Sequence, residues 1–506
     1  MTSFVTPQKF LIELRLPGNS NAINFPSEHI KTIRSHRSIS AGSGGISLLI
    51  PYQEKYAVRL NSDDVSPIRL DSMNPKNFAE LSFREIFQQR TLVFLFVDIS
   101  ENVSSEPDFL QLNVGKVAKT ERSYSADGKA FVNVTIEPVE SIIAKAQYFL
   151  DYQRKEGNPP KRSTDTFVGV IQKSANFFKG DLKNLITGIW DGLICELLTI
   201  PRFSNTEFVS KTGSDNGLTL IPPEKSFTSN FAYEAQIISS FSIGHYISLW
   251  DILRSYANPP VYEIFCDPLE TRNIDGSSGF GILSGDLAGN PGSRYSVNKR
   301  SAKIIFRPVP LYMFNLKGEW RNLSDEKIDA FYDFPLENLI EYKIEELEED
   351  IICGVHIALN VYQSFGTVLS EPKYNEKIRS IFGTKLLHVK LAGLTFKEET
   401  LTVENKEKYK SELAKIRDEL FSIFCNEDQL KIGKGSFRKP FFPIRVGMPF
   451  RVSLNESLVY PIHKEDISEY GYITDVIDES SPGEGKATST VHFKWAPANS
   501  VSIFKN

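Results

Sequence analysis

The stretch "SLWDILRSYANPPVYEIFCDP", residues 248–268, gathers the carboxylates Asp251, Glu263 and Asp267 with Trp250 and Cys266. Two carboxylates flanking a glycosidic bond can hydrolyse it, one as acid, the other as base or nucleophile. That chemistry requires convergence. Asp251 neighbours Trp250 on a helical pattern and points off the Trp face. Glu263 belongs to a strand beyond the break at Asn258-Pro259-Pro260, and no spacing brings the two together. The acidic run "EYKIEELEED" (341–350) offers oxygen ligands, but a calcium loop turns on a glycine that this run lacks. It reads as a solvated face or a negative inner surface.

Other chemistry is equally sparse. The glycine-rich "DGSSGFGILSGDLAGNPG" (275–292) has no Gly-Lys-Ser/Thr and opens no clear helix, so it reads as a surface loop rather than a phosphate cradle. His245 reads as a helix-end residue, and His356 and His492 as strand residues of a core or interface. Cys195, Cys266, Cys353 and Cys425 form no C-x-x-C pair and have no histidine at ligand spacing, which argues against zinc or a disulfide framework. Reduced, mostly buried thiols fit a protein made in the cytoplasm. No nucleophile elbow, H-E-x-x-H or EF-hand pattern occurs. The expectation is no catalytic residue, no cofactor and no metal.

The elements that carry these residues change period along the chain. Residues 1–145 read as mostly β, with strands near 9–16, 46–50, 56–60 and 91–99. A hairpin follows at 113–137, turning on Asp127-Gly128. Over 180–199, Leu182, Leu185, Ile186, Ile189, Leu193 and Leu197 recur at helical spacing. Ile243, Ile247, Trp250 and Leu253 mark a second helix over 243–257, which stops before Asn258 because proline disfavours a helical residue ahead of it. A strand at 261–266, a long glycine-rich loop at 270–297 and a strand at 302–314 complete a middle region, 146–315. From 316 to 506 the two-residue period returns, as in "GVHIALNVY" (354–362), interrupted by one helix near 402–425 with Tyr409, Leu413, Ile416, Leu420 and Ile423 in a stripe.

The closing hairpin (470–497) resembles the first one. "GKVAKTERSYSADGKAFVNVTI" and "GYITDVIDESSPGEGKATSTVHF" both run glycine, strand, polar turn, Gly-Lys-Ala, strand. Two similar β-domains, one near each end, are expected.

Bulk composition agrees. The chain's 506 residues suggest several domains, and 41% apolar content with 36 phenylalanines can fill several cores. A net charge of -5 without a Lys/Arg stripe argues against a dedicated nucleic-acid binder. The N-terminus has no charged region ahead of an apolar run, and no apolar stretch is long enough for a membrane helix.

Taken in order, these motifs resemble the hub proteins of phage tail baseplates, a family shared with contractile injection systems and type VI spike hubs. The matching positions are Trp250, Asn258, Pro259, Glu263, Asp267, Phe306, Arg307, Pro308 and Pro310. The first hairpin, the acidic segment before 354–362, the "IRSIFGTKLL" stretch (378–387), the "PIRVGMPFRV" strand (443–452) and the last hairpin follow in the family's order. The resemblance implies a mainly β, α+β chain, with two tube-type β-barrel domains (1–145 and 316–506) around the helix-containing middle. It implies a homotrimer whose six barrels adapt a sixfold tail tube to a threefold central spike. The implied partners are the tail tube, baseplate wedge and tape measure proteins, and DNA only in transit, with no membrane insertion. The implied place is the virion tail baseplate, assembled in the host cytoplasm. No needle repeat precedes Asn506, so the spike is expected on a separate chain. A tail-tip cell-wall hydrolase and a peripheral host-binding tail protein are the alternatives.

Overall fold

The computed structural model describes residues 10–17, 22–40, 42–61, 78–98, 109–145, 147–149, 179–195, 198, 208–214, 217–223, 231–234, 246–257, 261–269, 300–308, 320–321, 327–328, 332–346, 351–360, 367–391, 394–396, 403–425, 433–453 and 469–495. The chain is mostly β with a few helices.

The N-terminal unit contains β1 (Phe10–Arg15), β2 (Ala22–Pro26), β3 (Thr32–Ser38), β4 (Gly45–Pro51), β5 (Tyr56–Asn61), β6 (Phe78–Leu81), β7 (Leu92–Asp98), β8 (Phe109–Tyr124) and β9 (Ala130–Pro138). Phe10, Ile12 and Leu14 alternate along β1 into a core with Ile23, Leu48 and Val134, because successive strand residues face opposite sides. On β7, Val93, Leu95 and Val97 enter that same core, whereas Phe94 and Phe96 enter a second core on the other face. A strand covered on both faces is a continuous apolar run, and "LVFLFV" is one.

The second core belongs to the middle region. It is built from α1 (Leu182–Ile189), α2 (Leu249–Ser255) and a three-stranded sheet of β10 (Gly217–Ile221), β11 (Tyr262–Asp267) and β12 (Ser301–Pro308). The expected helix over 180–199 starts at Leu182, capped by the Asp181 carboxylate accepting from Asn184 N. It widens into a π-helical turn over Trp190–Ile194. The expected helix over 243–257 is shorter. Residues 246–248 form a strand instead, and the helix begins only at Leu249, where Ser248 caps it. The glycine-rich loop, His245, Asn258, Pro259 and Pro310 lie outside the described residues.

The C-terminal unit holds β13 (Tyr332–Pro335), β14 (Glu341–Glu346), β15 (Gly354–Asn360), β16 (Leu386–Leu391), α3 (Val403–Phe424), β17 (Gly433–Pro440), β18 (Pro449–Ser453), β19 (Glu469–Ser481) and β20 (Lys486–Trp495). Its own core is aromatic, with Phe334, Phe437, Phe450 and Phe493 in mutual edge or tilted contact. The segment between β14 and β17 leaves that core. Val355 and Ile357 of β15 and Tyr409, Leu413 and Leu420 of α3 pack with the middle region. The expected strand over 443–452 is confined to its end, at Pro449–Ser453.

One fifteen-stranded sheet joins the two units in the order β14-β17-β20-β19-β3-β4-β9-β8-β7-β1-β2-β5-β6, with β13 on β18 and β18 on β19 beside this path. Among the described residues neither unit closes into a barrel.

The units share a turn, a following strand and a hairpin that correspond in position. β2 and β13 both end in Phe-Pro (Phe25-Pro26, Phe334-Pro335), and each is followed by a 3₁₀ turn with glutamate second (Glu28, Glu337). Each turn then leads into the outermost strand of its own unit's run, β3 or β14. Thr32 pairs with Leu49 on β4 as Glu341 pairs with Arg438 on β17. Both hairpins carry one extra residue, Ala118 on β8 and Thr474 on β19, three positions after a glycine (Gly115, Gly471). Both turn through a left-handed glycine, Gly128 at φ 81° and Gly485 at φ 64°, followed by Lys-Ala.

Candidate functional site

The strand expected at 261–266 pairs antiparallel with the one expected at 302–314, Glu263 opposite Arg307 and Asp267 opposite Lys303. Its carboxylates do not converge on a cleft. They tie the middle region to the C-terminal unit. Arg307 Nε donates to Glu263 Oε1 at 2.8 Å, and Tyr472 of β19 donates its hydroxyl to Oε2 at 2.5 Å. Burial, with the neighbouring Glu263, pushes the Tyr472 phenol well up. The other arm of Arg307 donates to the Gly447 carbonyl, and its guanidinium lies 5.1 Å from the Phe265 ring centre. Gly447 has φ 72°, and a Cβ there would stand 2.6 Å from Phe265 and 2.8 Å from Arg307.

Asp267 is buried and accepts a charge-assisted bond from Arg445, while its other oxygen accepts from Leu269 N at 3.1 Å. Arg445 N in turn donates to the Tyr332 hydroxyl at 3.1 Å. Asp251 closes a reciprocal helix cap with Ser248, at 3.0 Å from Asp251 N to Ser248 Oγ and 2.6 Å between the side chains. Trp250 is buried with Ile252 and Leu253 in the middle core, and among the described residues its Nε1 has no hydrogen-bond partner. Pro308 ends β12 opposite Tyr262.

The same hairpin is tied to the N-terminal unit. Gln111 of β8 donates to the carbonyls of Pro268 (2.7 Å) and Ser301 (2.6 Å), and Arg300 binds the buried Glu13 carboxylate of β1. Glu140 also reaches this place. Burial pushes its carboxyl up to about 7, and the Cys266 thiol beside it is pushed up by the same cause.

These contacts surround a seam that the sequence pattern did not reveal. β19 runs antiparallel beside β3, from Asp475 opposite Ser38 to Ser480 opposite Ile33. Arg37 and Asp478, both buried, pair at 2.6 Å. Arg37 also donates to the Ile444 carbonyl at 2.7 Å, and Ser489 donates to Asp478 at 2.7 Å. Burial outweighs these favourable partners and holds the Asp478 carboxyl above its usual range. His36 meets Asp475 at 3.2 Å and Arg34 meets Glu479 at 3.3 Å. The hairpin side of the seam is acidic and the β3 side basic. The repeated Phe-Pro-x-Glu was the sequence signal that could have placed β3.

The expected acidic segment 341–350 begins as β14, an edge strand whose partner among the described residues is β17. His356 and His388 stack across β15 and β16 with Nδ1 atoms 2.8 Å apart. Burial and the neighbouring imidazole both lower the His356 pKa. Among the described residues, no group of three His, Cys, Asp or Glu gathers to hold a metal, and no helix is long and apolar enough to cross a membrane. The four cysteines are buried and free.

No known family profile matches the chain, and no curated protein does. Solved structures do. The tail protein of Neisseria meningitidis is 7% identical, covering 97% of this chain and 100% of its own, with a TM-score of 0.43. The 43 kDa tail protein of prophage MuSo2 from Shewanella oneidensis is 10% identical over 97% and 99%, with a TM-score of 0.40. A prophage tail protein of Listeria monocytogenes is 8% identical over 96% and 94%, with a TM-score of 0.36.

Proposed function

We propose that the chain is a structural hub of a phage tail baseplate, a trimeric ring that adapts the sixfold tail tube to the threefold central spike and encloses the channel. The observation that carries this reading is the internal repeat: two β-units that share a four-strand order and a bulged hairpin, joined edge to edge in one chain. Three such chains supply six similar edges to a sixfold neighbour while retaining threefold symmetry. Barrels over 1–145 and 316–506 are part of the proposal, as are a separate spike chain and the tail tube, wedge and tape measure proteins as partners. DNA would meet the ring only in transit, and the place is the virion tail baseplate after assembly in the host cytoplasm.

The role is structural rather than catalytic. Asp251 caps a helix, whereas Glu263 and Asp267 are engaged by Arg307, Tyr472 and Arg445. In this reading Trp250, Glu263, Asp267 and Arg307 brace the two units against the middle region. The test is imaging of tails carrying a labelled chain, paired with incubation of the purified protein on peptidoglycan. Threefold density on the tail axis and no soluble wall fragments are expected. Label at the tail periphery, or released fragments, would replace the hub by a host-binding protein or a hydrolase.

A further inference from the structure

The chain contains the template for a contact that stays open among its described residues. Inside the chain, the arm of the second hairpin (Asp475–Ser480 of β19) covers the edge of β3. The first hairpin has an equivalent arm, Lys119–Tyr124 of β8, whose partner strand among the described residues is β9. The C-terminal unit has the equivalent of β3, which is β14. Among the described residues, this arm and this edge therefore remain uncovered. Both are exposed: Tyr124 at the tip is 69% exposed, and Lys343 on β14 has a side chain 66% exposed. Such edges invite strand pairing.

We propose that the Lys119–Tyr124 arm of one copy pairs antiparallel with β14 of a second copy, in the register of the internal seam. The inference rests on the ring reading and names the contact that builds the ring.

The register follows from the two equivalences. The extra residues Ala118 and Thr474 align the arms, so Lys119 stands for Asp475 and Arg122 for Asp478. The pairing of β3 with β4 and of β14 with β17 aligns the edges, so Glu345 stands for His36 and Glu346 for Arg37. The His36–Asp475 ion pair thus becomes Glu345–Lys119, and Arg37–Asp478 becomes Glu346–Arg122. Each keeps opposite charges with the polarity reversed. Glu121 falls opposite Glu345, with Lys119 and Lys343 on the two diagonals, so that face balances two acids with two bases. Tyr124 falls opposite Tyr342, where the internal seam has Ser480 opposite Ile33.

The reversal also selects the partner. An acidic second arm (Asp475, Asp478) laid on β14 would face Glu345 and Glu346, and a basic first arm laid on β3 would face His36 and Arg37. Like charges placed opposite each other are destabilising in a sheet. The remaining match joins unlike ends of two copies, a head-to-tail contact that closes into a ring or grows as a filament.

The test uses the full chain. K119E/R122E and E345K/E346K should each weaken self-association about tenfold or more in sedimentation, and the four substitutions combined in one chain should restore it. A second measurement does not depend on charge: the pair S123C/K343C, opposite in the proposed register, should form a disulfide between copies under mild oxidation. Association that ignores the charge reversals, with no S123C/K343C linkage, would overturn this contact while leaving a ring built through another face. Linked copies that grow as filaments would support the contact and count against the hub. A chain that stays monomeric and unlinked at every concentration would overturn both.

Discussion

Removing Arg37 from the seam tests whether the two units are held as described. In Arg37→Met the Asp478 carboxylate, 4% exposed, loses its ion-pair partner and retains the Ser489 hydroxyl. Breaking a buried ion pair from one side costs about 3–5 kcal/mol. At about 1.4 kcal/mol per decade, that is a seam opening roughly two to three and a half decades more frequent. Hydrogen exchange of the β3 and β19 amides reads that opening directly. The acid dependence sharpens the test. Asp478 binds its proton more tightly folded than unfolded, so its contribution is fully present below the unfolded value of 3.8 and is lost as pH rises through the folded value. Without Arg37 the folded value rises further. The cost of Arg37→Met should therefore shrink as pH falls and the orphaned aspartate takes up a proton. Arg37→Met/Asp478→Leu should recover most of the loss, since no buried charge is left alone. Exchange rates within threefold of the parent at neutral pH, or a double variant as weak as Arg37→Met, would refute the seam's energetics.

Two further outcomes follow from local geometry. Glu140 holds its proton to about 7 in the fold against 4.5 in the open chain, so stability should fall as pH rises through that window. The ceiling is about 3 kcal/mol, and Glu140→Gln should flatten the slope in urea titrations, whereas an unchanged slope would exclude Glu140 as its source. Gly447→Ala meets both a left-handed backbone and the Phe265 and Arg307 side chains, whereas Gly128→Ala meets open space at a similar φ. The first should cost clearly more than the roughly 1–3 kcal/mol of backbone strain alone, read as a lower thermal midpoint; equal costs would contradict the close packing at Gly447.

Legibility in the sequence followed the source of each constraint. β1 and α3 were readable because one face is buried, and burial imprints a period of two on Phe10, Ile12 and Leu14 and of about 3.6 on Tyr409, Leu413, Ile416 and Leu420. β3 was not, since "TIRSHRS" owes its faces to charged partners more than four hundred residues away, as in the His36–Asp475 pair. The start of α2 was legible in principle: Ser248 followed by Asp251 is a reciprocal capping signature, and it overrides the apolar spacing that extended the helix back to Ile243. The pairing of 261–266 with the strand after the glycine-rich loop was readable from two short β-rich runs. The meaning of Glu263 and Asp267 was not, because their charges are answered by Arg307 across the hairpin and by Arg445 from another unit.

The extra residue in each hairpin acts as a phase setter. Ile473 and Val476 both face the C-terminal core although they stand three apart, because Thr474 between them advances the alternation by one step. The root of the strand and its arm are thereby written in opposite reading frames. A change of length in the Pro482–Gly485 turn alters only the tip. Loss of Thr474 would make the Ile473–Phe493 and Asp475–His492 pairs consecutive and leave every arm residue on its present face, whereas loss of a regular arm residue such as Val476 would turn over those between it and the turn. The bulge thus absorbs one residue without rewiring the seam, and Ala118 is absorbed in the same way in the first hairpin.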